Sequence, residues 1–158
     1  MYAPRRILLV ANRTATTERL EEAIAALASF GPAHLHLVVP ATPRGMHRVV
    51  DPEVAGRAEA EAQLHAALDS FREIPGCRVS GEVGDADPIA AIQDALGAQA
   101  FDEIVVSTLP HRVSRWLRLD VISKARGLGL PVTHVEVEPM LEPARDAAAN
   151  ELVTPAAR

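Results

Sequence analysis

Three arginines stand at intervals of three residues in one stretch of the chain: Arg112, Arg115 and Arg118. If this stretch is helical, their guanidinium groups lie roughly along one side of the helix, near its amino-terminal end. Guanidinium groups and the free backbone N–H groups of a helix start both bind anions, so the pattern indicates a phosphate clamp. The alternative is a solvated charged face, or ion pairs with acids elsewhere, which is what most runs of charge form.

Two histidines, His34 and His36, stand two residues apart in an apolar stretch. On a β-strand this spacing places both rings on one face, where two imidazoles can ligate a metal ion. His134 belongs to another predicted strand, and the sequence places no carboxylate beside the pair. We therefore predict no metal site and interpret both histidines as polar groups at a sheet or helix boundary.

Residue types for catalysis are present, but not in a catalytic pattern. Ser107, Ser114 and His111 are types that nucleophilic catalysis uses, yet no G-x-S-x-G elbow and no orienting acid accompanies them. Asp85 and Asp87 form a carboxylate pair in sequence, but Asp87 precedes a proline, as the N-cap of a helix does. We predict no catalytic residue.

Apolar runs of strand length alternate with helical patterns along the chain. The predicted strands are Arg6–Asn12, His34–Val39, Arg78–Val83, Glu103–Leu109 and Pro131–Val137. Helices are predicted after a cap at Thr16, after Asp51, after Asp87 and, as one unbroken element, from Val113 to Arg126. Strands that alternate with helices predict parallel βαβ units. The expected fold is α/β, a single doubly wound five-stranded parallel sheet with helices on both faces, Rossmann-like in class.

The predicted topology gives the position of a site. Ligands of open α/β sheets bind beyond the carboxyl ends of the strands, where the strand order reverses. The continuous apolar run of the first strand indicates a central position, so the loops after strands one and four flank that crevice. The predicted ligand-binding residues are Asn12, Arg13, Thr14, Val39, Ser107, Thr108, Arg112, Ser114 and Arg115. This set suits a small anionic ligand.

The composition bounds the class of protein. A chain of 158 residues, 48% of them hydrophobic, fits one domain at residues 1–138, and residues 139–158, rich in Ala, Pro and Glu, are predicted to form a flexible tail. A net charge of −5 and 3% aromatic residues argue against nucleic acid as a partner. We interpret Trp116, with Leu119 and Ile122, as core. Apolar runs too short for a membrane and a single cysteine, Cys77, favour a cytoplasmic protein.

Several of these stretches resemble the universal stress protein family, over about residues 5–137. They are Ile7–Val10 in the first strand, the turn and helix start at Gly84–Ile92, Ser114-Arg115-Trp116-Leu117 at the fourth helix start, and Pro131-Val132 before the last strand. The resemblance implies an adenine nucleotide alpha hydrolase-like fold, with ATP or AMP as the candidate ligand. It also implies a homodimer formed through the last strand, Val132 to Val137.

The chain departs from that family at the glycine-rich phosphate loop. Nucleotide-binding members carry two glycines three residues apart and, further on, Gly-Ser or Gly-Thr, which let the backbone approach the phosphates. Here Thr108 to Arg112 fill the first part, no glycine occurs within 98–126, and Leu119-Asp120 stands in place of Gly-Ser. Pro110 also lacks an N–H donor. The glycine motif is therefore degenerate in this divergent sequence, and Asn12 or Arg13 replaces the family's acid after the first strand.

The residues and the resemblance together predict a cytoplasmic binding or regulatory domain that is not catalytic. It either holds a nucleotide or other phosphate-bearing ligand weakly, between Asn12–Thr14 and Ser107–Arg115, or has lost ligand binding. The alternative is a small enzyme that hydrolyses adenine nucleotides in the same crevice, although no acid–base pair is evident in the sequence.

Overall fold

A computed structural model describes residues 3–42 and 52–138. Its strands are β1 (Arg5–Val10), β2 (Ala33–Pro40), β3 (Cys77–Gly84), β4 (Glu103–Thr108) and β5 (Val132–Glu136). Its helices are α1 (Glu18–Ala28), α2 (Pro52–Phe71), α3 (Pro88–Ala98), α4 (Arg115–Arg118) and α5 (Val121–Arg126). Every predicted strand is present, with bounds that differ from the prediction by one or two residues.

The five strands form one sheet in the order β3-β2-β1-β4-β5, and every neighbouring pair is parallel. The first strand is central, as its continuous apolar run predicts, and β3 and β5 are the edges. The order reverses between β1 and β4, because the chain moves outward to β3 on one side and then resumes on the other. The doubly wound parallel sheet is confirmed.

Alternate residues of the strands face two separate cores. Helices α1 and α2 cover one face, where Leu20 of α1 and Leu64 of α2 pack on Leu9 of β1. Helices α3, α4 and α5 cover the other face, where Ile92 and Trp116 pack with Leu8. Successive strand side chains point to opposite faces, so a strand buried on both sides must be apolar throughout. Small buried Ala side chains let the helices pack close to the sheet, so the core needs few aromatic rings to fill it.

Two of the three predicted helix caps lie within the described residues. Asp87 is the N-cap of α3, as predicted: its carboxylate accepts a hydrogen bond from the Ile89 N–H at 2.9 Å. The cap of α1 is Thr17 and not the predicted Thr16. Thr17 Oγ1 donates to the Thr14 carbonyl at 2.7 Å and accepts from the Leu20 N–H at 3.4 Å, so the turn before the helix is one residue longer than predicted.

The prediction of one helix from Val113 to Arg126 is wrong, because the segment is broken at Asp120. Its φ of 57° and ψ of 38° lie in the left-handed region, which a right-handed helix cannot include. The N–H groups of Leu119 and Asp120 close the end of α4 on earlier carbonyls, and α5 then starts in a new direction. Trp116 is 8% exposed and belongs to the core, whereas Leu119 is 48% exposed and does not.

Charged side chains join the amino ends of the two central strands. The backbone N–H and the guanidinium of Arg6 both donate to Asp102, at 2.8 and 3.2 Å. These hydrogen bonds hold the pKa of the Asp102 carboxyl below its usual range. Beside them Arg5 Nε lies 3.1 Å from Glu103 Oε1, without the alignment of a hydrogen bond.

Some predictions concern residues outside the described part of the chain. The flexible tail at 139–158 and the helix cap at Asp51 both lie there. In the part that the structure describes, no helix is long and apolar enough to cross a membrane.

Close packing of α2 on β3 predicts opposite effects for two Gly→Ala substitutions. A Cβ at Gly81 would lie 2.6 Å from Leu64 Cδ1 and 2.8 Å from the Leu37 carbonyl oxygen. Gly81→Ala should therefore lower the free energy of unfolding by about 1–3 kcal/mol. Gly97→Ala on exposed α3, with no neighbour within 4 Å, should raise it by about 0.5–1 kcal/mol. Urea unfolding of both variants checks this, and equal effects would contradict the packing.

Candidate functional site

The loops that follow β1 and β4 meet at the carboxyl edge of the sheet. Ser107 at the end of β4 donates from its hydroxyl to Thr14 Oγ1 across a distance of 2.7 Å. Both side chains are almost fully buried, at 1% and 2% exposure. The two loops that sequence reasoning assigned to one crevice are therefore in direct contact, and a buried hydroxyl pair forms the floor between them.

A second hydrogen bond at this edge joins β4 to β5. Thr108 Oγ1 and His134 Nε2 are 2.7 Å apart, and Thr108 is buried. Burial lowers the pKa of His134, the nearby positive charge of Arg126 lowers it further, and Glu136 opposes the shift. Sequence reasoning chose Thr108 for the site but not His134. The sequence shows only that each residue lies on a predicted strand. Their contact depends on the register of β4 against β5, which the sequence does not give.

Two further predicted residues, Asn12 and Ser114, also have protein partners. Asn12 Nδ2 donates to the Pro40 carbonyl at 2.9 Å, which fixes the loop after β1 to the end of β2. Ser114 is the N-cap of α4 and accepts from the Leu117 N–H at 3.2 Å. Val39, one residue before the end of β2, is fully buried in the core that α1 and α2 cover, so its side chain is not accessible to a ligand. These residues shape the site but offer few free polar groups.

The arginines at the edge are exposed and unpaired. Arg13, Arg112 and Arg115 all lie on the surface, as does Arg118. No ion pair or hydrogen bond joins these four side chains to another described residue. Their exposure fits the alternative given above, in which the arginines form a solvated charged face. Because α4 has only four residues, the predicted contribution of a long helix start to anion binding falls away, and the guanidinium groups themselves must provide the attraction.

The residues that sequence reasoning considered for catalysis do not form a catalytic group. Ser107 and Ser114 bond to Thr14 and to a backbone N–H, while His111 is exposed, so the three do not form a nucleophile–base pair. Asp85 accepts from the Asp87 N–H at 2.8 Å in the turn before α3.

The two histidines of β2 differ in their surroundings. His36 bonds to Ser80 through Nδ1 at 2.8 Å and to Glu82 through Nε2 at 3.2 Å, a set of contacts between β2 and β3 that the sequence did not reveal. His34 borders a shallow hollow at the amino edge of the sheet, beside Arg6 and Asp102. Within residues 3–42 and 52–138, no group of three His, Cys, Asp or Glu side chains could hold a metal ion.

Solved structures share this architecture. A universal stress protein from Archaeoglobus fulgidus superposes with a TM-score of 0.58 and 20% sequence identity, over 83% of this chain and 93% of that one. The chain has the universal stress protein fold. The A. fulgidus protein in complex with dAMP matches over 86% of this chain and 98% of its own, with a TM-score of 0.52 and 17% identity. No family model and no curated protein matches the sequence.

A universal stress protein in complex with cAMP is similar to the same extent. Its TM-score is 0.52 and its identity 18%, over 85% of this chain and 98% of that chain. The fold implied by the sequence resemblance is confirmed. In the universal stress protein pattern Gly-Ser stands where this chain has Leu119-Asp120, and here the left-handed backbone falls on Asp120.

The left-handed Asp120 predicts a stabilising substitution. Left-handed backbone costs an L-residue about 1–2 kcal/mol, and glycine avoids that cost at the expense of a more flexible unfolded chain. Asp120→Gly should therefore raise the free energy of unfolding by about 0.5–1 kcal/mol. The matched control, Asp94→Gly inside exposed α3, should lower it by about 0.3 kcal/mol. Thermal unfolding measures both, and a loss of stability in Asp120→Gly would show that its carboxylate matters more than its backbone.

The depressed pKa of His134 predicts a loss of stability in mild acid. An unfolded chain protonates this histidine near its ordinary pKa of 6.5, whereas the folded protein resists protonation until lower pH. The contribution of His134 to stability is therefore complete above about pH 7 and declines as the pH falls below 6.5 toward the folded pKa. Urea unfolding between about pH 7.5 and 5 should show this slope. His134→Gln should flatten it, and an equal slope in the variant would assign the effect elsewhere.

Proposed function

We propose that the chain is a cytoplasmic, non-catalytic domain that weakly binds a phosphate-bearing ligand, such as ATP or AMP, at the carboxyl edge between β1 and β4. Arg112 and Arg115 contact the phosphates. The loop at Asn12–Thr14 and the end of β4 form the floor. One observation carries the proposal: exposed guanidinium groups with no partner among the described residues lie beside the point at which the strand order reverses.

The position of the edge supports this role. Doubly wound sheets bind their ligands beyond the carboxyl ends of the strands, at the point where the strand order reverses. Solved proteins of the same fold contain dAMP and cAMP. Each exposed guanidinium–phosphate contact contributes only about 0.2–1 kcal/mol. Without a glycine loop to add backbone contacts, a dissociation constant of about 1 mM or weaker is expected.

Calorimetric titration with ATP and AMP tests the proposal. Substitution of Arg112 and Arg115 by glutamine together should weaken ATP binding about five- to twentyfold, because two charge-assisted contacts are lost. Arg78→Gln is the matched control, since Arg78 is equally exposed but lies on edge strand β3, two strands away from β1. Unchanged binding in the double variant would refute the role of these arginines, and phosphate released from ATP at a rate above buffer would refute the non-catalytic assignment.

We further propose that the chain forms a homodimer through β5, from Val132 to Val137. This strand is an open edge of the sheet, and open edges pair readily with another strand. The Val137 N–H donates to the Thr108 carbonyl of β4. Backbone groups alternate in direction along a strand, so those of Val132, His134 and Glu136 point outward and are available to a second copy.

Light scattering of the full chain should therefore give twice the mass of one chain. Glu136→Pro removes an outward N–H donor without touching the bonds to β4, and it should shift the protein to a single chain at micromolar concentration. Glu136→Gln keeps the N–H and should leave the mass doubled. A single-chain mass for the unmodified protein would refute the dimer.

A further inference from the structure

The side chains that could read a nucleotide base or sugar at the β1–β4 edge already have partners. Thr14 and Ser107 bond to each other, and Thr108 bonds to His134. Asn12 bonds to a backbone carbonyl and Ser114 to a backbone N–H. Thr14, Ser107, Thr108 and Ser114 are also at most 5% exposed, so a base or ribose can reach their hydroxyl groups only if the residues that cover them move. Recognition of a specific base is therefore disfavoured at this edge.

Positive charge, by contrast, is concentrated near this edge. From His111 to Arg126 the chain carries Arg112, Arg115, Arg118, Lys124 and Arg126. Asp120 is the only acid in that stretch, although the whole chain has a net charge of −5. The three leading arginines are exposed on two consecutive turns, which Trp116 anchors in the core. A positive surface that is not neutralised by neighbouring acids attracts ligands in proportion to their negative charge.

We propose that this edge selects its ligand by the number of linked phosphates and not by the base, with a tri- or polyphosphate group as the preferred class. This inference rests on the proposed function and adds Arg118 to its residues. Arg115 and Arg118 are neighbours on the surface of α4, because residues three apart on a helix lie side by side. A single phosphate cannot pair with all of the guanidinium groups at once, whereas a linear triphosphate can extend from one to the next.

Asp120 has a defined place in this scheme. It is exposed and stands two residues after Arg118, so its negative charge opposes a polyanion at the same surface. Removal of this charge should strengthen polyphosphate binding. This is the opposite of what happens if Asp120 positions a ligand directly.

Titration of the full-length protein with six probes tests the proposal: orthophosphate, pyrophosphate, inorganic tripolyphosphate, ATP, GTP and adenosine. Affinity should rise at each step from orthophosphate to tripolyphosphate, and ATP, GTP and tripolyphosphate should agree within about threefold, because the base adds little. Adenosine should not bind. All affinities should fall between about 50 and 300 mM KCl, since exposed charges are screened by salt.

Two variants locate the effect. Arg118→Gln should weaken tripolyphosphate about two- to fivefold and leave AMP nearly unchanged, while Asp120→Asn should strengthen tripolyphosphate by about twofold. Arg78→Gln on β3 is the control and should change neither. Tenfold tighter binding of ATP than of GTP and tripolyphosphate would overturn charge selection while leaving the proposed function intact. Binding of none of the phosphates would overturn both.

Discussion

Burial of β1 on both faces is the constraint on which the other features depend. Ile7, Leu8, Leu9 and Val10 are at most 1% exposed, and alternate members face different cores. A strand of this kind needs a hydrogen-bonded neighbour on each side and a helical layer above and below, since unpaired backbone groups have no access to water there. It therefore has to be an interior strand, and in this sheet β1 is the middle one. Once it is, the reversal of strand order must fall beside it, and the loops after β1 and β4 have to meet.

The contact between those loops determines which polar groups are exposed at the candidate site. The crevice floor contains hydroxyl groups, but Thr14 and Ser107 bond to each other, Thr108 bonds to His134, and all three hydroxyl side chains are buried. The floor therefore presents little polar surface to a ligand. Around it lie exposed arginines, which form no ion pair or hydrogen bond with another described residue. After β4 the chain has Pro110 and a four-residue helix, and no glycine that would let the backbone approach a phosphate closely. Long side chains remain as its means of contact with an anion.

The sequence was sufficient for the fold because its signals are strong and local. Continuous apolar runs place the strands, Asp87-Pro88 marks a helix start, and the alternation of elements leaves few topologies to consider. The break at Asp120 had no such signal. Aspartate is a weak helix former that occasionally adopts left-handed backbone, but one aspartate between two helical patterns is not enough to predict a break. The pairs Thr108–His134 and His36–Glu82 were likewise not predictable, since each depends on strand register.

The hydrogen bond from Asn12 to the Pro40 carbonyl has a consequence for the entropy of binding. Together with the Ala11 N–H, which donates to the Val38 carbonyl, it ties the loop after β1 to β2 before any ligand arrives. The floor thus loses little conformational freedom when a ligand binds. The ordering cost falls on the arginine side chains, each of which gives up about 1.5–2 kcal/mol of rotamer freedom if fully immobilised. Affinity at the proposed site would therefore be limited by flexible contacts on a rigid base, and pre-ordering of those side chains by a partner would increase it.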